Sequence, residues 1–162
     1  GNSLIKAKMA EMKAPLAGEL SGHIFFGDKW YGFDDGVYCA LRLMNEVLHA
    51  DGAASSLTAH LPELYNTPEV RFEVVESEKF NLVKQVADSI AAQIQGRDDI
   101  QVNDIDGVRI TTPDGWWLLR ASNTQNVLVT RAESNSPEGL ENLKQMVITE
   151  VEKTGYDVTF PA

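Results

Sequence analysis

Trp116-Trp117-Leu118-Leu119-Arg120 and Val127-Leu128-Val129-Thr130-Arg131-Ala132 are two apolar-rich runs joined by Ala121-Ser122-Asn123-Thr124-Gln125-Asn126. Aromatic and β-branched residues suit a pleated, half-buried surface, and each run has an ordinary strand length. A polar link this short is compatible with antiparallel neighbours. Trp116 and Trp117 place one indole on each face of their strand, so one is expected in the core and the other under a neighbouring side chain. Arg131 is an odd charge beside Val127-Leu128-Val129, and the loop between the runs carries hydroxyls, amides and an arginine but no acid.

Upstream, Asp106-Gly107 and Asp114-Gly115 are strong turn dipeptides. They delimit further strands at about Gln101–Asn103 and Val108–Thr111. Asn103 to Gly107 is similar in composition to a calcium loop, but Val102 and Pro113 would fall on ligand positions, so it reads as a hairpin turn. Val70, Phe72 and Val74 alternate with Arg71 and Glu73, which is strand periodicity. Ser77 is expected to cap a helix with Val83, Val86, Ile90 and Ile94 inside, closed by Gly96. Downstream, Ser136-Pro137 is an N-cap followed by proline at the first helical position. That last helix buries Leu140, Leu143, Val147 and Val151 and ends at Gly155.

The N-terminal part reads differently. Ile5, Met9 and Met12 recur at helical spacing until Pro15 stops them. Leu16–Ala17 and Ile24–Phe26 are short strand pieces around a tight turn. Asp34 and Asp35 stand where an N-cap belongs, ahead of Val37, Leu41, Met44 and Leu48 as a core stripe. Ser55 and Ser56 are expected to cap a short third helix stopped by Pro62. Beginning on a helix with no cap sequence suggests a chain cut from something longer.

The expected class is mixed α/β or α+β. Residues 1–65 are helices plus short strands, part of a sheet domain. Residues 66–76 are a linker with the first strand, Asn66-Thr67-Pro68-Glu69 being the linker proper. Residues 77–162 are a compact α+β domain, an antiparallel sheet packed by helices on one face.

Composition narrows the function. The 162 residues are 43% hydrophobic and 23% charged, and 14 Lys plus Arg against 24 Asp plus Glu leave a net charge of -10. That balance suits a globular core and disfavours nucleic acid or an anionic membrane as partner. A single cysteine, Cys39, excludes an internal disulfide and reads as packed in its helix. The three histidines show no zinc spacing. A cytoplasmic location is the default expectation.

Two clusters can carry chemistry. In Gly18-Glu19-Leu20-Ser21-Gly22-His23 the glycines allow close approach to the main chain. Glu19 can accept from two neighbouring hydroxyls, Ser21 donates or accepts, and His23 changes charge near neutral pH. The group suits a polyol; a plain polar turn is the simpler reading of the residue types. In the Arg120–Asn126 loop, the guanidinium fork matches phosphate oxygens. Ser122, Asn123 and Thr124 add donors, and the turn's main-chain N–H groups could form an anion nest. An ordinary polar hairpin loop fits those residues as well.

Taken together, the clusters resemble two motifs of the α-D-phosphohexomutase family. Glu19, Ser21 and His23 match its G-E-x-S-G-H sugar motif. Arg120-Ala121-Ser122-Asn123-Thr124 matches the phosphate loop of its phosphomannomutase/phosphoglucomutase branch. Gly32-Phe33-Asp34-Asp35-Gly36 also resembles the family's stretch after the sugar motif. The resemblance spans nearly the whole chain and implies the C-terminal portion of a third domain plus a fourth. It implies an enzyme moving phosphate between C1 and C6 of glucose or mannose through a bisphosphate. The donor phosphoserine and the Mg2+ loop would lie outside this chain, so no metal ligand is expected here and the isolated chain is expected to be inactive.

By the same resemblance, Glu19 and Ser21 would hold the sugar O3 and O4, and His23 would assist at the reacting oxygen. Arg120, Ser122, Asn123, Thr124 and, less directly, Arg131 would hold the distal phosphate. The implied partners are a hexose phosphate and the remaining domains of the parent enzyme. A phosphoglucosamine mutase fragment and a non-catalytic sugar-phosphate-binding module are the alternatives. Two positions depart from the family: Asn2 stands where histidine is frequent, and Gln125-Asn126 follows the loop where proline is usual, so a less rigid loop exit is expected.

Overall fold

The computed structural model describes residues 2–19 and 21–161. The chain divides into two compact units, residues 1–62 and 63–162.

In the first unit, helix α1 (Asn2–Met12) precedes strand β1 (Leu16–Gly18), which pairs antiparallel with β2 (Ile24–Phe26). Helix α2 (Gly36–His49) follows, capped by the Asp35 carboxylate, which accepts from the Tyr38 N–H at 3.0 Å. The expected core stripe of α2 faces outward: Val37, Leu41, Met44 and Leu48 are exposed. The spacing correctly marks an amphipathic helix, but a two-stranded ribbon cannot cover such a face. Ser55 and Ser56 lie inside a 3-10 turn (Ala54–Leu57) instead of capping a helix. Among the described residues of this unit, Phe25 alone is a buried hydrophobic side chain.

Among the described residues, the second unit builds a six-stranded antiparallel sheet. Strands β3 (Tyr65–Asn66) and β4 (Val70–Glu73) both pair with β8 (Val127–Ser134). From β8 the order continues through β7 (Gly115–Ala121) and β6 (Val108–Thr112) to β5 (Gln101–Asn103). Helices α3 (Lys79–Gln93) and α4 (Pro137–Glu152) supply Val83, Val86, Leu143 and Val147 to a core with Trp117, Leu119, Leu128 and Ala132. Each of the valines and leucines among them contributes about 1.5–3 kcal/mol on burial. Trp117 is the core indole, whereas Trp116 lies on the other face, with Arg109 stacked 4.5 Å from its ring.

The helix ends follow the sequence only in part. Ser136 caps α4, accepting from Gly139 N–H at 3.0 Å, and Pro137 follows it. Ser77 does not cap α3; Glu78 occupies that position without a side-chain bond. The stretch 66–69 is docked on the sheet. Thr67 is buried, its N–H donates to Ala132 O at 3.0 Å, and its hydroxyl accepts from Ala132 N–H at 3.1 Å. Pro68 has no N–H to offer the sheet, and the Thr67 hydroxyl takes the place of a main-chain acceptor for Ala132 N–H. Among the described residues, no helix is long and apolar enough to cross a membrane.

Candidate functional site

Each unit carries one of the two clusters. In the first, β1 and β2 are joined by a turn in which Glu19 N–H donates to His23 O at 2.8 Å and Gly22 N–H donates to Glu19 O at 3.0 Å. Gly22 has φ +86°, a left-handed conformation that a side chain would strain. Leu20 lies outside the described residues. Ser21 Oγ donates to Glu19 Oε2 at 3.2 Å, so this serine's proton is used locally while the carboxylate keeps lone pairs for further hydroxyl donors. Glu19, Ser21 and His23 are thus brought to one turn.

His23 Nδ1 is 2.7 Å from Asp34 Oδ2, and the His23 side chain is about half exposed. Asp34 is held beside the β-ribbon because it forms a bridge with Phe25. The neighbouring Asp35 caps α2 and accepts from Trp30 Nε1 at 3.2 Å. The two adjacent acids therefore do different work, where the sequence suggested only a cap. A helix needs one capping side chain, so the second acid was the available signal. With Nδ1–H donated to Asp34, the neutral ring has its Nε2 lone pair left for a ligand.

Nearby, Arg42 lies 4.4 Å from the Phe26 ring centroid and 3.3 Å from the Asp28 carboxylate. That guanidinium's hydrogen bonds hold the Asp28 carboxyl below its ordinary range.

In the second unit, the donor loop joins β7 to β8. Ser122 Oγ accepts from Gln125 N–H at 3.1 Å and Thr124 N–H at 3.4 Å. Those two N–H groups brace the loop and are not free for an anion nest; the Ser122 hydroxyl proton remains as a donor. Asn123 and Thr124 are exposed. Arg120 is half-buried, with Nη1 3.9 Å from Asp106 Oδ2, a loose pairing beyond hydrogen-bond range. Arg131 Nη2 donates to Asn66 Oδ1 at 3.0 Å, while its Nε is buried without a hydrogen-bond partner.

Strand register adds two residues the sequence reading missed. Arg71 faces Val129, which faces Arg120; Arg109 faces Leu118, which faces Arg131. All four arginines lie on the sheet face opposite Trp117, Leu119 and Ala132. Alternation in β4 already turned Arg71 away from Val70 and Phe72; the strand order that gathers these cations was not in the local pattern. The loop exit is also tied: Arg71 Nη1 donates to Gln125 Oε1 at 2.8 Å, Lys79 Nζ to Gln125 O at 3.2 Å, and Val74 N–H to Asn126 O at 3.0 Å. These three bonds supply restraint where the lack of proline suggested a looser exit.

The first unit presents acceptors and an oriented imidazole, and the second a sheet face on which four arginines stand with Glu73 and Glu133, Arg71 being paired with Glu69 at 2.7 Å, beside a donor loop. Among the described residues, no group of three or more His, Cys, Asp or Glu could hold a metal ion.

Residues 1–65 match the family model for phosphoglucomutase/phosphomannomutase alpha/beta/alpha domain III, and residues 69–150 match that for the phosphoglucomutase/phosphomannomutase C-terminal domain. A phosphomannomutase/phosphoglucomutase of Pseudomonas syringae is 39% identical over 161 residues, 99% of this chain and 34% of that protein. A Neisseria meningitidis phosphoglucomutase is 40% identical over 144 residues, 89% of this chain and 30% of that protein. A solved Burkholderia thailandensis structure of a phosphoglucomutase/phosphomannomutase family protein superposes with TM-score 0.80 at 36% identity, covering 100% of this chain and 33% of that one. The chain spans about a third of the length of these relatives. Its two units, matched in order by those two domain models, make it a member of the phosphoglucomutase/phosphomannomutase family.

Proposed function

We propose that the chain is the substrate-recognition part of a mutase that interconverts hexose 1-phosphate and hexose 6-phosphate through a bisphosphate. The placement of Arg71, Arg109, Arg120 and Arg131 on one sheet face, beside a loop rich in donors, carries this reading: such a gathering of cations within a chain of charge -10 fits an anionic ligand. Arg120, with its planar fork, Ser122, Asn123, Thr124 and Arg131 grip the phosphate that is not reacting. Glu19 and Ser21 hold the sugar O3 and O4, and His23 assists at the reacting oxygen through Nε2. The phosphate grip reads charge and shape, so it accepts either end of the sugar, and contacts to O3 and O4 do not distinguish glucose from mannose. Mg2+ and the phosphoserine belong to the part of the parent enzyme beyond this chain; the residues described here do not form a metal site, and no step is routed through one. A cytoplasmic place in carbohydrate metabolism completes the proposal.

The test is an amide-resolved NMR titration of the chain with glucose 1-phosphate, with free glucose as control. Shifts at Ser122 to Gln125 with the phosphate ester, absent with glucose, are expected, and a coupled assay should detect no turnover. No response in that loop would remove the reading.

A further inference from the structure

Lys79 opens α3, yet its side chain is only 3% exposed. Lysine is almost never fully buried without partners, because an ammonium leaves water at high cost. The helix start makes the placement less favourable still, since the positive end of the helix dipole repels a cation. Something other than the helix must account for it. The ammonium has two oxygen partners, Glu76 Oε1 at 3.0 Å and the main-chain oxygen of Gln125 at 3.2 Å, and lies 5.4 Å from the Phe80 ring centroid.

Gln125 lies 46 residues further along, on the downstream limb of the donor loop. Its N–H is taken by Ser122 Oγ and its side-chain oxygen by Arg71. With Lys79 on the carbonyl, residue 125 is restrained at its N–H, its C=O and its side chain. Ser122 is itself tied to the other limb, its N–H donating to Val127 O at 3.0 Å. The exposed pair Asn123 and Thr124 thus spans two fixed points. Glu76 offsets the ammonium's charge, so the contribution of Lys79 is geometric before it is electrostatic.

We propose that Lys79 is a positioning residue for anion recognition: its bond to the Gln125 carbonyl sets the loop conformation in which Ser122, Asn123 and Thr124 meet a phosphate. This rests on the phosphate-loop reading above.

The experiment titrates glucose 1-phosphate into the wild-type chain, Lys79→Met and Glu76→Gln, following main-chain amides and the Lys79 ammonium by NMR. In the wild type, the Lys79 ammonium signal is expected to shift with the same midpoint as the Ser122 and Thr124 amides. Lys79→Met should bind roughly tenfold more weakly, the loss of one charge-assisted hydrogen bond. Its Gln125 and Val74 amides should exchange faster while those of Trp117 and Leu143 stay protected. Glu76→Gln, which leaves the carbonyl bond in place, should keep its affinity within about threefold, well under that loss. Unchanged affinity in Lys79→Met overturns the inference. A wild-type ammonium signal unmoved at saturation also overturns it, whether or not the methionine variant folds. A wild-type chain that does not respond at all takes down the phosphate-loop reading, and this inference with it.

Discussion

Arg120 and His23 show how much a single side chain's surroundings decide. Arg120 is held over the Asp106-Gly107 turn: Gly107 has φ +85°, and a Cβ there would lie 2.6 Å from the Arg120 Cβ. Close packing therefore fixes the root of the Arg120 side chain, while its guanidinium is 3.9 Å from the Asp106 carboxylate. Arg120→Lys keeps the charge but loses the fork, and affinity for glucose 1-phosphate should fall roughly ten- to hundredfold. Isothermal titration of wild type and variant checks this; a lysine variant that binds like the wild type would rule out a bidentate grip. For His23 the relevant quantity is the tautomer. With Asp34 accepting from Nδ1, the neutral ring should carry its proton on Nδ1, and Asp34→Ala should return it largely to Nε2. Long-range 15N correlation of the imidazole at alkaline pH reads this directly, and an identical tautomer in both proteins would remove Asp34 as the orienting group.

At the level of elements, the strands of the second unit were legible because their signals are local. Period-two alternation, Asp-Gly turns and the Ser136-Pro137 cap each fix a boundary within a few residues. The clusters themselves were legible as residue types in order. What the sequence withheld was non-local. The placement of Arg71 and Arg120 on either side of Val129 needs the strand order, and the reach of Asp34 to His23 needs the bridge at Phe25. Helix α2 shows the same limit from the other direction: periodicity identified an apolar stripe but could not say whether anything covers it. Exposed stripes of this size mark interaction surfaces or association liabilities. The isolated chain should therefore self-associate as its concentration rises, and replacing Leu41 and Met44 by lysine should suppress this. Sedimentation velocity over a concentration series decides, and a wild-type chain that stays monomeric throughout would count against it.

Across the whole molecule, the two units are unequal. The buried core cluster is drawn from residues 74 to 160, whereas among the described residues of the first unit Phe25 alone is a buried hydrophobic side chain. Residues 61–64 are exposed, while Thr67 is locked to β8. Limited proteolysis should therefore cut first within residues 1–64 and leave a resistant product beginning near Tyr65. Mass spectrometry of the early fragments tests this, and first cleavage at 66–69 would show that the docked strand opens more readily than its bonds imply. The sparse burial among the described residues of the first unit has a calorimetric consequence. Heat capacity of unfolding follows the apolar surface newly exposed, about 12–15 cal/mol/K per residue in a well-packed domain. A melt that registers only residues 63–162 would show about 1.2–1.5 kcal/mol/K, against about 2 for the full chain. The smaller figure is expected, with the first 62 residues melting as a shallow slope ahead of the peak: the loop between β7 and β8 would then keep its form at temperatures where the turn carrying Glu19, Ser21 and His23 has already lost its own.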